Sequence, residues 1–326
     1  MRRLNVKKVI SVIAPMYNEE SLVREYCETT FRALEVLQEK YQIEIILVND
    51  GSKDQTWNYM LKLQENYPFN ISTVSLSRNF GLEGAVYAGL QVSKGDLTVV
   101  MDADLQDPPH VIINMVEQYE KGADIVLAKR KKRSNDNYFK RTSAKWYYIL
   151  LDELSGKIRL ERDVANFRLL SREALNKLLN LPEVNPVFRV TVPFLGMKTA
   201  VVEYERDKRF AGETKYNLKS MIRYALDSVT GISIEPLRKL MILGFGSGLI
   251  CVLFLILTII SKDAWKTSFF ISLVISMFFC VMFFALALVG EYIGQILLEV
   301  KRRPTSIIYE YNPRKEPRKE SIDEIC

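Results

Sequence analysis

Histidine is nearly missing from this chain. His110 is the only one among 326 residues, and a lone imidazole makes no metal site, so it reads as a surface residue. Cysteine is scarce as well. Cys27, Cys251, Cys280 and Cys326 form no CxxC and no close pair, and two of them sit inside apolar runs. That excludes a disulfide framework or a zinc cluster and fits a reducing compartment. The basic N-terminus is not followed by an apolar stretch with a cleavage site, so no secretory signal is expected. No GxGxxG follows the first apolar run, which argues against a dinucleotide-binding dehydrogenase. Gly244, Gly246 and Gly248 lie instead within an apolar segment, where small residues allow close helix packing. Charge is missing only locally: residues 240–290 hold just Lys262, Asp263 and Lys266.

With 26% charged and 48% hydrophobic residues overall, the rest of the chain is an ordinary charged globular protein joined to that apolar tail. Neither a wholly disordered nor a wholly membrane-embedded chain has this composition. The excess of 45 Lys and Arg over 39 Asp and Glu gives a net charge of +6, much of it beside the apolar tail. Anionic lipid is the simpler partner for such residues, and nucleic acid is not expected.

Residues 240–261 and 267–290 are two runs without a charge, each long enough as a helix to span roughly 30 Å of hydrocarbon. Residues 262–266 link them into a tight hairpin. Arg238 and Lys239 precede the first run, and Lys301, Arg302 and Arg303 follow the second, so the positive-inside rule places the globular part and both termini in the cytoplasm. The expected protein is a multi-pass plasma (inner) membrane protein. Upstream, Leu218, Met221, Ile222, Ala225 and Val229 recur at near-helical spacing among Lys219 and Arg223. This amphipathic helix lies either on the membrane surface or against the globular domain. The expected organisation is a cytoplasmic globular domain over 1–215, a juxtamembrane amphipathic region over 216–239, two transmembrane helices over 240–261 and 267–290, and a basic cytoplasmic segment over 291–326.

Residues 9–14, 43–48, 71–76, 97–101 and 125–128 are short runs rich in Val and Ile, which read as buried parallel strands. Helical patterns lie between them. Ser21 is placed to cap a helix whose apolar stripe holds Cys27, Phe31, Leu34 and Leu37, and residues 82–92, 111–119 and 144–154 are further helices. Pro108 and Pro109 are expected to start the third of these. The alternation predicts an α/β fold with an open, mostly parallel, Rossmann-like sheet. Ligands bind such sheets at the carboxyl ends of the strands. The polar clusters fall there: PMYNEE after strand one, NDGS after strand two and DADLQD after strand four. Asp102 and Asp104, two residues apart past a buried strand, suit Mg2+ or Mn2+, although such a triplet standing alone reads equally as a polar loop whose aspartates cap the next helix. Mg2+ takes only one or two protein carboxylates and completes its shell with water and phosphate oxygens, so a diphosphate-bearing substrate follows.

PMYNEE, VNDGSKDQT, LSRNFGLEGAVYAGL and MDADLQDPP occur in that order at successive strand ends, and NFRLLSR, RFAGETKYNL and GEYIGQILLEVKRRP follow. Together, from about Val9 to Pro304, these motifs resemble the family-two, inverting nucleotide-sugar glycosyltransferases with the GT-A fold. Within them they look like the polyprenyl-phosphate branch, which includes bactoprenol glucosyltransferases and relatives of dolichyl-phosphate mannose synthase. The resemblance implies that Pro15, Tyr17, Glu19, Asp50, Asp102, Ala103 and Arg130 bind the nucleotide sugar, Asp50 through the base. It implies that Asp102, Asp104 and Gln106 surround the metal and diphosphate. Arg209 and Lys215 would close over the phosphates and, with Asp104 and Asn166, form the catalytic set. The implied partners are a UDP-sugar, undecaprenyl or another polyprenyl phosphate, membrane lipid, and a second copy of the chain in a homo-oligomer. The implied product is a polyprenyl-phosphate sugar for cell-envelope glycan modification. UDP-glucose is the expected donor, with UDP-N-acetylglucosamine or GDP-mannose as alternatives.

One position departs from the family pattern: Ala165-Asn166-Phe167-Arg168 stands where the family usually has Asp before Phe-Arg. Asn cannot take a proton, but a phosphate monoester with a second pKa near 6 is already largely ionised at neutral pH. Asn166 is therefore expected to position the acceptor by a hydrogen bond. Two other outcomes follow from the departure: a catalytically impaired membrane scaffold, or transfer of the role to Asp163. A processive polysaccharide synthase is disfavoured, because the chain has no QxxRW motif and too few apolar runs.

Overall fold

The computed structural model describes residues 7–67, 69–131, 164–183, 186–206 and 264–314, with scattered positions between 237 and 256. The chain divides into two units. One comprises Met1–Asp136, Glu161–Lys215 and Pro304–Cys326, the other Asn137–Leu160 and Tyr216–Arg303.

The first unit is built on a sheet of β1 (Lys8–Met16), β2 (Tyr41–Asn49), β3 (Ile71–Leu76), β4 (Leu97–Val100), β5 (Ile125–Arg130), β6 (Val164–Ser171), β7 (Thr199–Tyr204) and β8 (Ile308–Asn312). Their order is β7-β5-β6-β4-β1-β2-β3-β8. β1 to β4 appear as apolar runs because both of their faces are covered. Ile10, Val12 and Ala14 of β1 point into one core with Val23, Cys27 and Phe31 of α1 (Val23–Ala33) and Met115 of α4 (Val111–Glu120). Ile13 points the other way, into a core with Val48, Val100, Ala88 and Leu90 of α3 (Gly81–Val92) and Leu175 of α5 (Arg172–Leu179). Gly89 lets α3 lie this close: a Cβ there would come within 2.4 Å of Ile13 Cγ2. The other helices of this unit are α2 (Thr56–Asn66) and α6 (Phe188–Phe194).

The sheet is mostly parallel, as expected, with six strands running one way, but it is mixed, because two strands run against them. β1 pairs parallel with β2 and β4, β2 with β3, and β5 with β7, but β6 runs antiparallel between β4 and β5. β8 runs antiparallel along β3. An apolar run records that a strand is buried on both faces; it carries no sign for the direction of its neighbour. Ser21 is not the cap of α1, whose N-cap is Leu22 without a side-chain hydrogen bond. The prolines do not start α4 either. Pro108 and Pro109 form the turn before it, their carbonyls accepting from Val111 and Ile112 N–H at 3.1 and 3.0 Å. The expected helices over 144–154 and 217–237 fall outside the described residues, Leu237 apart.

The second unit contains α7 (Ala264–Lys301), which runs eleven residues beyond Gly290, the end of the expected second span. Its stretch Lys266–Lys301 is the one helix among the described residues long and apolar enough to cross a membrane. Phe269, Phe283, Phe284 and Leu286 are each more than half exposed, as suits a helix whose surroundings are apolar. Of residues 240–261 only scattered positions are described, each helical.

Candidate active site

The loops after β1 and β2 are laced together by their own polar residues. Asn18, held at φ 53°, accepts from Lys53 N–H through Oδ1 at 2.8 Å, while its own N–H donates to Ser52 Oγ at 3.0 Å. Glu19 N–H donates to Thr56 Oγ1 at 2.9 Å, and Glu20 Oε2 accepts from Gln55 N–H at 2.9 Å. Such short polar side chains bond to backbone where no ladder is available, which is why PMYNEE and NDGSKDQT are rich in Asn, Ser and acids. Pro15 is buried in β1 opposite Val48, and Tyr17 and Glu19 are half-buried beside it.

Asp50, buried at the end of β2, turns its carboxylate to the start of α3. Oδ1 accepts from Phe80 N–H at 2.7 Å and Oδ2 from Gly81 N–H at 3.0 Å. Helix N-termini offer unpaired N–H groups and a favourable field for a carboxylate. Burial nevertheless outweighs these two donors and pushes Asp50 up to about 6.

The DADLQD segment turns sharply at Leu105, which has φ 53°, an uncommon conformation for a bulky side chain that costs about 1–3 kcal/mol. The turn gathers three carboxylates. Ala103 is buried between Asp102 and Asp104, and Gln106 N–H donates to Asp104 Oδ1 at 3.1 Å. Asp107 is fully buried, and Arg130 Nη2 lies 3.2 Å from both of its oxygens. Tyr204 OH donates a short hydrogen bond to Asp107 Oδ1 and accepts from Arg130 Nε at 3.1 Å. Arg206 brings a second guanidinium, with Nη2 3.8 Å from Asp104 Oδ2 and Nε 3.9 Å from Asp107 Oδ1.

Asp102 has no such partner for Oδ1, which is sealed from solvent without a hydrogen bond. Burial, then the charges of Asp107 and Asp104, push this carboxyl up to about 7, with Arg130 and Arg206 pulling the other way. Asn166, on β6, is also buried with an unpartnered Oδ1. β6 pairs with β4 as far as Val100 opposite Arg168, and the same register carried two residues on brings Asn166 level with Asp102. Arg168 is a fully buried arginine. Nη1 donates to the carbonyls of Phe188 and Arg189 at 3.0 and 3.3 Å, and the guanidinium stacks 5.3 Å from the Phe188 ring.

The structure therefore brings Asp102, Ala103, Asp104, Gln106, Asn166 and Arg130 to one region, and Pro15, Tyr17, Glu19 and Asp50 to the adjoining loops. Arg209 and Lys215 lie outside the described residues. Asp107, Tyr204 and Arg206 were not assigned roles from the sequence, although the third acid of DADLQD and the Glu205-Arg206-Asp207 charge cluster were visible signals.

Among the described residues no three His, Cys, Asp or Glu side chains gather into a metal cage. A cation that keeps most of its shell for water and phosphate does not need one. The buried, unpartnered Asp102 Oδ1 is an acceptor of the kind such a cation satisfies, so the residues present fit a divalent metal.

Residues 11–179 match the family model described as Glycosyl transferase family 2. The protein is a family 2 glycosyltransferase. It is 37% identical over 303 residues to the bactoprenol glucosyl transferase of Shigella phage SfII, covering 92% of this chain and 97% of that one. It is 35% identical over 302 residues to an uncharacterized glycosyltransferase, YkcC, of Bacillus subtilis (strain 168), covering 91% and 92%. Among solved structures, the mannosyltransferase PcManGT from Pyrobaculum calidifontis, in complex with GDP-Man and Mn2+, aligns at 19% identity with a TM-score of 0.48, over 69% of this chain and 62% of that one. This family 2 glycosyltransferase carries its acidic rim on the mixed α/β sheet described above.

Proposed function

We propose that this glycosyltransferase moves glucose from UDP-glucose onto undecaprenyl phosphate, with inversion at the anomeric carbon. The observation that carries the reading is the match over nearly the whole of both chains to a bactoprenol glucosyl transferase. The acidic rim supports it. A phosphate oxygen of the acceptor attacks the anomeric carbon in line, the bond from that carbon to the diphosphate breaks, and UDP leaves with the electron pair. Asp102, Asp104 and Gln106 would hold Mg2+ or Mn2+, which when bound neutralises charge building on the diphosphate. Pro15, Tyr17, Glu19, Asp50, Ala103 and Arg130 shape the nucleotide-sugar pocket, Arg209 and Lys215 close over the phosphates, and the buried amide of Asn166 positions the ionised acceptor.

The membrane arrangement belongs to the same reading. Residues 1–215, completed by β8 from the C-terminal segment, are the cytoplasmic catalytic domain, 216–239 an amphipathic region, 240–261 and 267–290 a hairpin in the plasma membrane, and 291–326 a cytoplasmic segment that returns to the sheet. The exposed apolar surface of α7 supports it.

The test is a transfer assay with purified protein in detergent, undecaprenyl phosphate, Mg2+ or Mn2+, and labelled UDP-glucose, UDP-N-acetylglucosamine or GDP-mannose in separate tubes. Lipid-soluble label from UDP-glucose, lost in Asp104→Ala, is expected. Label from another donor replaces the sugar, and unchanged turnover in Asn166→Ala removes the role given to that amide. No label from any donor, with label appearing in Asn166→Asp, favours the impaired scaffold.

A further inference from the structure

The last strand of the sheet is entered across the loop that holds Asp50. Residues 77–80 connect β3 to α3, and the two N–H groups that Asp50 accepts, those of Phe80 and Gly81, come at the end of that loop. A backbone donor has no rotamer of its own, so these groups are aimed only as well as the loop is held. Two neighbours hold it. Gly51, next to Asp50, lies so close that a Cβ there would stand 2.5 Å from the Arg78 carbonyl carbon and 2.6 Å from Asn79 N. The chain leading into β8 is the second. Ser77 N–H donates to the Ile307 carbonyl at 3.0 Å, and Leu76 pairs with Ile308. A Cβ at Gly84, in the first turn of α3, would lie 3.0 Å from the Thr305 carbonyl oxygen. Ile308 shares one apolar core with Leu76, Phe80 and Leu82. Farther along, Arg314 N–H donates to Ser72 Oγ at 2.8 Å and fastens the segment to β3.

We propose that residues 305–308 are a positioning element of the nucleotide pocket, holding the 77–80 loop so that Phe80 and Gly81 keep the Asp50 carboxylate in place for the base of the donor. The inference rests on the reading of Asp50 as the base-binding residue. Asp50 is buried, so a donor that drifts away is not replaced by bulk water, and the carboxylate turns or loses its charge instead. The element stands outside residues 11–179, which match the family model. Arg302, Arg303 and Pro304 separate it from Lys301, the last residue of α7. Affinity for the nucleotide is thus set in part by a segment that the chain adds only after its long apolar helix.

The test uses the full-length protein in detergent, with UDP binding in the presence of Mn2+ read by calorimetry and amide hydrogen exchange read by mass spectrometry. Ile308→Ala, which removes packing from under the loop, is expected to bind UDP about fivefold or more weaker, roughly what one hydrogen bond contributes. Exchange over residues 77–84 should quicken about tenfold, with β1 unchanged. Gly84→Ala, which crowds Thr305 from the side of α3, is expected to act in the same direction. Tyr309→Ser, at a position 78% exposed in the same strand, should change neither quantity. Asp50→Asn is expected to weaken UDP binding, and Ile308→Ala added to it should cost little more, because the two changes act through one carboxylate. Additive losses, or exchange that rises equally in β1, would show that Ile308 supports the sheet as a whole and overturn the positioning role. If Asp50→Asn weakens UDP binding and Ile308→Ala does not, this inference fails and the base-binding reading stands. If Asp50→Asn leaves UDP affinity unchanged, or the wild type does not bind UDP, both fail.

Discussion

Arg130 reaches both oxygens of Asp107 from a single nitrogen, Nη2, at 3.2 Å each. Asp107 has no exposure, so its charge is stabilised by Arg130, Tyr204 and the more distant Arg206 rather than by water. The pair fixes the far side of the rim, tying the loop after β4 to the ends of β5 and β7.

Replacing Asp107 with Asn keeps the shape and removes the charge, leaving Arg130 poorly compensated. Arg130 is 31% exposed, so water offsets part of the loss, and the expected destabilisation is about 2–3 kcal/mol, below the range for fully buried pairs. Tyr204→Phe, which deletes the hydroxyl's hydrogen bonds to two charged groups, Asp107 and Arg130, is expected to cost about 1.5–3 kcal/mol or more. Urea unfolding of the two variants and the double variant measures both losses, and a sum well short of additive would show that the residues act as one network.

Asp50 gives a pH signature. Its folded-state value of about 6 lies above the ordinary carboxylate value, so between these two limits the folded protein binds more protons than the unfolded one. Its contribution to stability is complete below the ordinary value and is lost as pH rises through about 6. Asp50→Asn removes this term. The melting temperature of the variant should therefore fall less than that of the wild type between about pH 4 and pH 7. Parallel profiles would show that Asp50 does not titrate in that window.

Gly51 and Gly122 separate space from backbone strain. Both have positive φ, 64° and 98°, but a Cβ at Gly51 would lie 2.5 Å from the Arg78 carbonyl carbon, whereas nothing stands within 4 Å at Gly122. Gly122→Ala is expected to cost about 1–2 kcal/mol from the dihedral alone. Gly51→Ala must also displace the Arg78–Asn79 backbone just before Phe80, whose N–H holds Asp50, and is expected to cost about twice as much. Thermal unfolding of the two variants ranks them, and equal losses would remove the steric argument.

Gln64 holds β8 in place from α2. Its Nε2 donates to the carbonyls of Asn312, Ile71 and Pro313 at 2.8, 3.2 and 3.2 Å. Gln64→Ala is expected to speed amide hydrogen exchange in residues 308–312 by about tenfold, with β1 unaffected. Exchange that rises equally in β1 would mean the side chain supports the whole sheet.

The parallel centre of the sheet was legible because Ile10, Val12, Ile45, Leu47 and their neighbours are apolar on both faces. β6 was not, because Asn166 and Arg168 interrupt its apolar run. Arg168 is fully buried, satisfied by carbonyls of α6 about twenty residues away, which no local pattern displays. β8 reads IYEYN amid charges, as an edge strand can, and was hidden for that reason. Asp102 and Asp104 could be read because both stand beside each other in the chain. The Asp107–Arg130–Tyr204 group could not: its members are 23 to 97 residues apart, and only the folded sheet assembles them.

β8 also sets an order of events in time. β3 is flanked on one side by β2 and on the other by β8, and β8 follows the long apolar helix α7 in the chain. A ribosome making 5–20 residues per second needs on the order of 10–50 s to add the roughly 230 residues between β3 and β8. Throughout that interval the outer edge of β3 presents unpaired N–H and C=O groups, a template for any passing strand. The nascent domain therefore waits for its last strand until α7 has been synthesised, and a chain stalled within α7 would leave the ribosome with an open sheet.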